Sequence, residues 1–119
     1  MKPNRQWIED WEIGENTSRE VRIAEELLQV FSNFWEAQEL DQKSKTTRNR
    51  YSASLHSLGG YLTEKAVYEK EDLVKSSADL LAKYVGPQEG PLICVDHEIW
   101  QNELDMVCRK LCKYLKSNC

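Results

Sequence analysis

The side chains best suited to chemistry are three cysteines and one histidine towards the C-terminus. Two residues separate Cys94 from His97 and three separate Cys108 from Cys112, a spacing similar to that of zinc fingers. Thiolate and imidazole are ligands that zinc prefers, so a loop and one helical turn could together hold the ion. Cys108, however, falls in an apolar stripe, where a free cysteine is usually a buried core residue. We therefore predict reduced thiols and no metal or other cofactor, with zinc binding by these four residues as a lesser alternative.

The motifs of common enzymes are missing from the sequence. It has no His-Glu-x-x-His or Glu-x-x-His pattern, which zinc proteases and di-iron bundles use to hold their metals. Its five glycines form neither a phosphate-binding loop nor a dinucleotide fingerprint. The histidines, His56 and His97, stand outside the known nucleophile motifs. These absences predict a protein that is not an enzyme.

Composition and length are typical of one globular domain. The chain has 119 residues, of which 40% are hydrophobic and 30% charged, and its net charge is -4. The longest apolar run covers residues 92–95, which is too short for a membrane span, and residues 1–6 lack the apolar stretch of a secretory signal. We expect a single domain over residues 1–119 that is soluble and cytoplasmic and does not contact membranes.

Apolar residues recur every third or fourth position through most of the chain, which is typical of amphipathic helices. Thr17 and Glu20 have the spacing of a capping box, and the stripe that follows predicts a helix to about Leu40. Ser44 is the predicted N-cap of a second helix. Gly59 and the glycine after it lie inside that helix, so either it breaks there or another backbone packs closely against it; the unbroken stripe favours the close packing.

Two further helices complete the predicted fold. One extends from about Lys70 to Val85 and ends at Gly86 in a left-handed cap, and a Gly/Pro linker covers residues 86–95. Asp96 is the predicted N-cap of the last helix, whose apolar side chains from Trp100 onwards point inward. The sequence thus predicts an all-α bundle of four principal helices plus a short N-terminal helix in an acidic segment, residues 1–16.

Paired aromatic residues are the strongest sign of a partner. Trp7 and Trp11 share a face of the N-terminal segment, and Phe34 and Trp35 are adjacent on the longest predicted helix. Such residues could fill a groove on another protein or form a dimer interface, although the N-terminal segment could instead fold back and seal its own core. We therefore expect a homodimer or small adaptor that acts by protein–protein interaction through these four residues.

Basic residues form two islands in this acidic chain. The first comprises Lys43, Lys45, Arg48 and Arg50, without any acid in residues 42–63, and the second occupies residues 106–119. A basic island at a helix start can attract phosphates, so nucleic-acid binding through the first island is an alternative function. The acidic net charge disfavours it relative to a solvated face or a protein contact.

Residues 44–62, Ser-Lys-Thr-Thr-Arg-Asn-Arg-Tyr-Ser-Ala-Ser-Leu-His-Ser-Leu-Gly-Gly-Tyr-Leu, resemble the last helix of the core-binding domain of tyrosine recombinases. In that family such a helix helps to hold DNA, so the resemblance implies a DNA contact from this segment. The family's catalytic His-x-x-Arg motif is absent from the chain, and the resemblance implies no catalytic residue.

Overall fold

The computed structural model describes residues 2–117, and this range is all-α. None of the helices within it combines the length and apolarity needed to cross a bilayer. The predicted bundle of four principal helices and a short N-terminal one is confirmed. The α-helices are α1 (Gln6–Asp10), α2 (Thr17–Ala37), α3 (Lys45–Tyr68), α4 (Ser77–Tyr84) and α5 (Glu98–Ser117), with short 3₁₀ turns at Leu40–Gln42 and Lys70–Asp72.

Helix α3 is central, because both α2 and α5 pack along it and α4 contacts it through the rings of Tyr61 and Tyr84. The buried side chains follow the three- and four-residue steps of the sequence, so each long helix turns one apolar stripe to the core. Ser44 caps α3 as predicted, with its Oγ accepting the Thr47 N–H at 3.2 Å. The fully buried residues include Ile23, Leu27, Phe31, Leu55, Leu58, Leu62, Leu104 and Leu111.

Helix α2 begins with a different cap from the predicted one. Asn16, not Thr17, is the N-cap, and its side chain accepts the Arg19 N–H at 3.4 Å. Glu20 is buried and reaches back to the preceding loop, where it accepts the N–H groups of Gly14 at 3.0 Å and Asn16 at 2.6 Å. Burial alone raises the pKa of Glu20, but these backbone donors outweigh it and hold the pKa below its ordinary value.

The glycine pair does not break α3, as predicted, but the close approach comes from a side chain rather than a backbone. The indole ring of Trp11 lies against Gly59, where an added Cβ would be 2.1 Å from ring atom Cζ2. At Gly60 the nearest ring atom would be 3.3 Å away. The N-terminal segment is therefore fitted into a notch that only glycine leaves open.

The predicted helix from Lys70 to Val85 is wrong in its first half. That part is a 3₁₀ turn followed by a loop, and α4 starts after Ser76, whose Oγ accepts the Asp79 N–H at 3.2 Å. The loop is held by Asp72, which is fully buried and accepts hydrogen bonds from Lys83 and Tyr84. Burying a carboxylate is costly unless it is paired and hydrogen-bonded, and these two donors meet that requirement. Leu73, an apolar residue of this loop, is 45% exposed.

The connection between α4 and α5 differs from the prediction at both ends. Helix α4 ends at Tyr84, and Gly86 does not adopt the left-handed conformation, which among the described residues occurs at Gly14 and Glu39. At the start of α5, the ring Nδ1 of His97, not the side chain of Asp96, accepts the Trp100 N–H, at 3.3 Å.

Candidate partner-binding surface

The four aromatic residues predicted to bind a partner lie inside this chain's own core. Trp7 and Trp11 are 4% and 3% exposed, Phe34 is fully buried and Trp35 is 2% exposed. Folding α1 back over α2 and α3 buries two large indole rings at once, which is the alternative that the sequence also allowed. As placed here, these side chains stabilise the fold and do not form a surface.

Helix α1 is held in place by polar contacts as well as by its tryptophans. The Nε1–H of Trp11 donates to the backbone carbonyl of His56 at 2.8 Å. The His56 ring lies 3.0 Å from a carboxylate oxygen of Asp10 and packs edge-on against Trp7 at 5.2 Å. The hydrogen bond with His56 is the main reason why the pKa of Asp10 lies below its ordinary value.

The four residues of the alternative zinc site do not form a metal-binding group. Cys108 is fully buried, with its Sγ close to Gly90, whereas His97 is exposed and stacks on Trp100 with ring centroids 3.9 Å apart. Burial, with smaller effects from Asp105 and Cys112, raises the pKa of Cys108 to about 12, so its thiol stays protonated. Across residues 2–117 no group of three or more His, Cys, Asp or Glu side chains is placed to hold a metal. The other two predicted ligands, Cys94 and Cys112, are likewise unpaired thiols, and Cys119 lies outside the described residues.

The first basic island is partly engaged within the chain. Arg50 forms an ion pair with Glu103 of α5 at 3.2 Å, and Arg48 donates to the carbonyl of Lys43 at 2.7 Å. Lys45 lies at the exposed start of α3. In the part of the chain that the structure describes, Arg50 is thus the one cation of the island that forms an ion pair with an acid.

A feature that the sequence analysis missed is a group of exposed apolar side chains within residues 92–100. Leu92, Val95 and Ile99 are 68%, 67% and 66% exposed, and Trp100 is 59% exposed. We call these four residues the Trp100 surface. Trp100 was predicted to point inward, which is wrong, because Leu104 one turn later already fills the core and His97 covers one face of the indole. The adjacency of two large apolar residues at 99 and 100 was not a sufficient signal, because the adjacent Phe34 and Trp35 on α2 are both buried.

The backbone beneath the Trp100 surface is fixed by a network around Gln101. Its Oε1 accepts the N–H groups of Ile93 at 3.1 Å and Cys94 at 2.9 Å, and its Nε2 donates to the Pro91 carbonyl at 3.0 Å. The same Nε2 donates to Asp105, which also accepts the Gly90 N–H. These hydrogen bonds fix the backbone that carries the exposed apolar side chains, so the surface is preorganised for binding.

A groove of about 420 Å³ adjoins the Trp100 surface and separates it from the start of α3. Its apolar lining includes Trp100 and Leu104 on one side and Ala53 on the other, and the Arg50–Glu103 pair borders it. The groove therefore joins an aromatic anchor, an apolar floor and charges of both signs, which are the elements of a protein-binding site.

Comparisons with known protein families, with curated protein sequences and with solved structures give no match for this chain. The tyrosine recombinases, which residues 44–62 resemble, are therefore not among the matching families.

Proposed function

We propose that this protein acts by binding, without catalysis, and that it self-associates as a homodimer through the Trp100 surface and the adjoining groove. The observation that carries the proposal is the set of four large apolar side chains, each about two-thirds exposed, within one nine-residue segment. Single exposed apolar residues are normal on proteins, but four of them within a short segment, of which Trp100 also lines a groove, are typical of an interaction site.

The charges around this surface favour a second copy as the partner. Asp96 and Glu98 are exposed on the side of residues 92–100, and Lys45 is exposed on the other side of the groove, one turn before Asn49 on the same face of α3. A two-fold axis would place the acidic side of one copy opposite the basic side of the other. The same acidic groups would repel a phosphate backbone, which is why we favour self-association over nucleic-acid binding.

The proposal places the homodimer in the cytoplasm, where unpaired thiols such as those of Cys94, Cys108 and Cys112 stay reduced. Burial of the Trp100 surface in the dimer would also remove most of its apolar area from water.

Sedimentation velocity over a concentration series tests the proposal. We expect a mass of twice 13.9 kDa at concentrations of about 100 μM, and a monomer for Trp100→Glu. Val74→Glu is the matched control, because Val74 is 90% exposed and lies outside the surface, so its variant should remain dimeric. Lys45→Glu should weaken the dimer, and combining it with Glu98→Lys should restore part of the loss.

Three results would contradict this function. One is a wild-type protein that stays monomeric at about 500 μM, a concentration that detects even weak dimers. The second is a dimer that Trp100→Glu leaves intact, which would place the interface elsewhere. The third is a monomer that binds fluorescein-labelled single-stranded DNA in a Trp100-dependent way, because an exposed indole beside cations can also stack on bases.

A further inference from the structure

A second apolar groove lies between α2, α4 and α5, away from the residues that form the Trp100 surface. It has a volume of about 650 Å³. The small side chains of Ala78 and Ala82 are exposed on α4 and leave its floor open. We call it the α4–α5 groove, and the residues that line it include Val30, Ala78, Ala82, Val85, Leu115 and Lys116.

One end of the α4–α5 groove is strongly basic. A neighbouring depression shares Lys116 with it and is lined by Arg109, Lys110 and Lys113. Arg109 donates to the carbonyl of Gln88, but none of the ion pairs in the described part of the chain involves the three lysines. Residues 106–119 contain no acid, so this end stays positive within a chain of net charge -4.

Stabilisation of the helix end explains only part of this charge. Cations in the last turn of a helix interact favourably with its dipole, but the effect falls off within that turn. Lys110 lies about two turns before the end of α5, too far to contribute to it. A positive end on an apolar groove is instead the complement of a ligand that has an apolar body and negative charge.

We propose that the α4–α5 groove binds an amphipathic helix of a partner protein, one that presents large apolar residues to the groove and acidic residues to Lys116 and to the lysines of the neighbouring depression. Helices that lie side by side offer a groove into which a third helix can pack its apolar face. The eight residues of α4 make a floor about 12 Å long, enough for about two turns of a partner helix. The groove is open to solvent rather than enclosed, so a peptide helix that keeps its polar face in water fits it better than a lipid chain that needs full burial.

This site is independent of the Trp100 surface and adds a second specificity to the protein. Self-association through one surface and capture of an acidic helix through the other would make the homodimer a bivalent adaptor. Bivalency raises the apparent affinity for a partner that itself carries two such helices.

Fluorescence anisotropy with two labelled synthetic helical peptides tests the proposal. Both have leucine at every third or fourth position, and the remaining positions are glutamate in one peptide and lysine in the other. We expect the glutamate peptide to bind with a Kd of about 10–100 μM and the lysine peptide at least about tenfold more weakly. Added salt should weaken binding of the glutamate peptide.

Variants locate the binding in the groove. Ala82→Glu should reduce binding at least about tenfold, because it puts an acidic side chain on the apolar floor. Lys113→Glu should reduce it about threefold and tests the charge even if Ala82→Glu fails to fold, which circular dichroism would reveal. Lys70→Glu and Val74→Glu are the matched controls outside the groove and should bind the glutamate peptide normally.

The proposal is overturned if neither peptide binds, if both bind equally, or if folded Ala82→Glu and Lys113→Glu bind like the wild type. It is also overturned if vesicles that contain phosphatidylserine bind and the glutamate peptide does not. None of these results bears on the dimer, which is measured by mass and depends on other residues.

Discussion

Replacing Gly59 with alanine should destabilise the protein, although alanine is the better helix former. Alanine in place of glycine inside a helix gains about 1 kcal/mol from propensity. At this position the new Cβ would lie 2.1 Å from Cζ2 of Trp11 and 2.4 Å from Cη2, so the rigid indole has to leave its notch. Loss of a buried tryptophan typically costs about 3–5 kcal/mol, and its hydrogen bond to His56 adds about 1 kcal/mol. We expect a net loss of about 2–4 kcal/mol, since the ring will keep part of its contacts.

Urea denaturation followed by far-ultraviolet circular dichroism measures the free energy of unfolding, and Gly60→Ala is the matched control. Its Cβ would lie 3.3 Å from the nearest indole atom, so a small shift suffices and the variant should stay within about 1 kcal/mol of the wild type. In a Trp11→Ala background, Gly59→Ala should become stabilising by up to about 1 kcal/mol, because the clash is gone and the propensity gain remains. If Gly59→Ala lowers the free energy of unfolding equally with and without Trp11, the contact between Gly59 and the Trp11 ring is not the cause of the loss.

Two further predictions concern ionisable groups. The pKa values of buried Glu20 and Asp72 are lowered in the folded protein from ordinary values of 4.5 and 3.8, so both stabilise it above those values and lose that contribution as the pH falls through the folded pKa. Glu20→Gln and Asp72→Asn should each be less stable than the wild type at pH 7 and lose less stability between about pH 5 and pH 2. Urea titrations at each pH measure the free energy of unfolding. If it falls with pH as steeply in the variants as in the wild type, these carboxylates do not have lowered pKa values. Cys108 is buried and its pKa is raised, so at about pH 8 iodoacetamide should alkylate it far more slowly than the partly exposed Cys94. Peptide mass spectrometry measures both rates, and equal rates would contradict the placement of Cys108 in the core.

The helical framework could be predicted from the sequence because it depends on local periodicity. The apolar stripes of α2, α3 and α5 repeat over five or more turns, and helices with such long stripes bury that face against one another. The break before α4 could not be read in this way. It depends on Asp72, which forms an ion pair with Lys83 and accepts a hydrogen bond from Tyr84, eleven and twelve residues later. The apolar spacing of the segment does not indicate these contacts.

The candidate site was harder to predict, because it depends on which of several tryptophans the core accepts. The sequence has four tryptophans, and Trp11 is buried because Gly59 on α3 leaves space for its ring. The carbonyl that accepts its indole N–H belongs to His56, which lies 45 residues later in the chain. Trp100 belongs to the apolar pattern of α5 but lies at its first turn, beyond the helices that could cover it. The apolar spacing in the sequence shows which residues could be buried, whereas the exposure of each one depends on which other elements pack against it.

The fit of Trp11 against Gly59 also sets an order of events during synthesis. Trp11 leaves the ribosome long before the segment around Gly59 does, and its docking place does not exist until that segment has become helical. Closing this long loop costs entropy, which the packing of Trp11 against α3 helps to offset. In the nascent chain, the apolar side chains of residues 7–11 therefore stay undocked and accessible to chaperones until the segment around Gly59 has been translated.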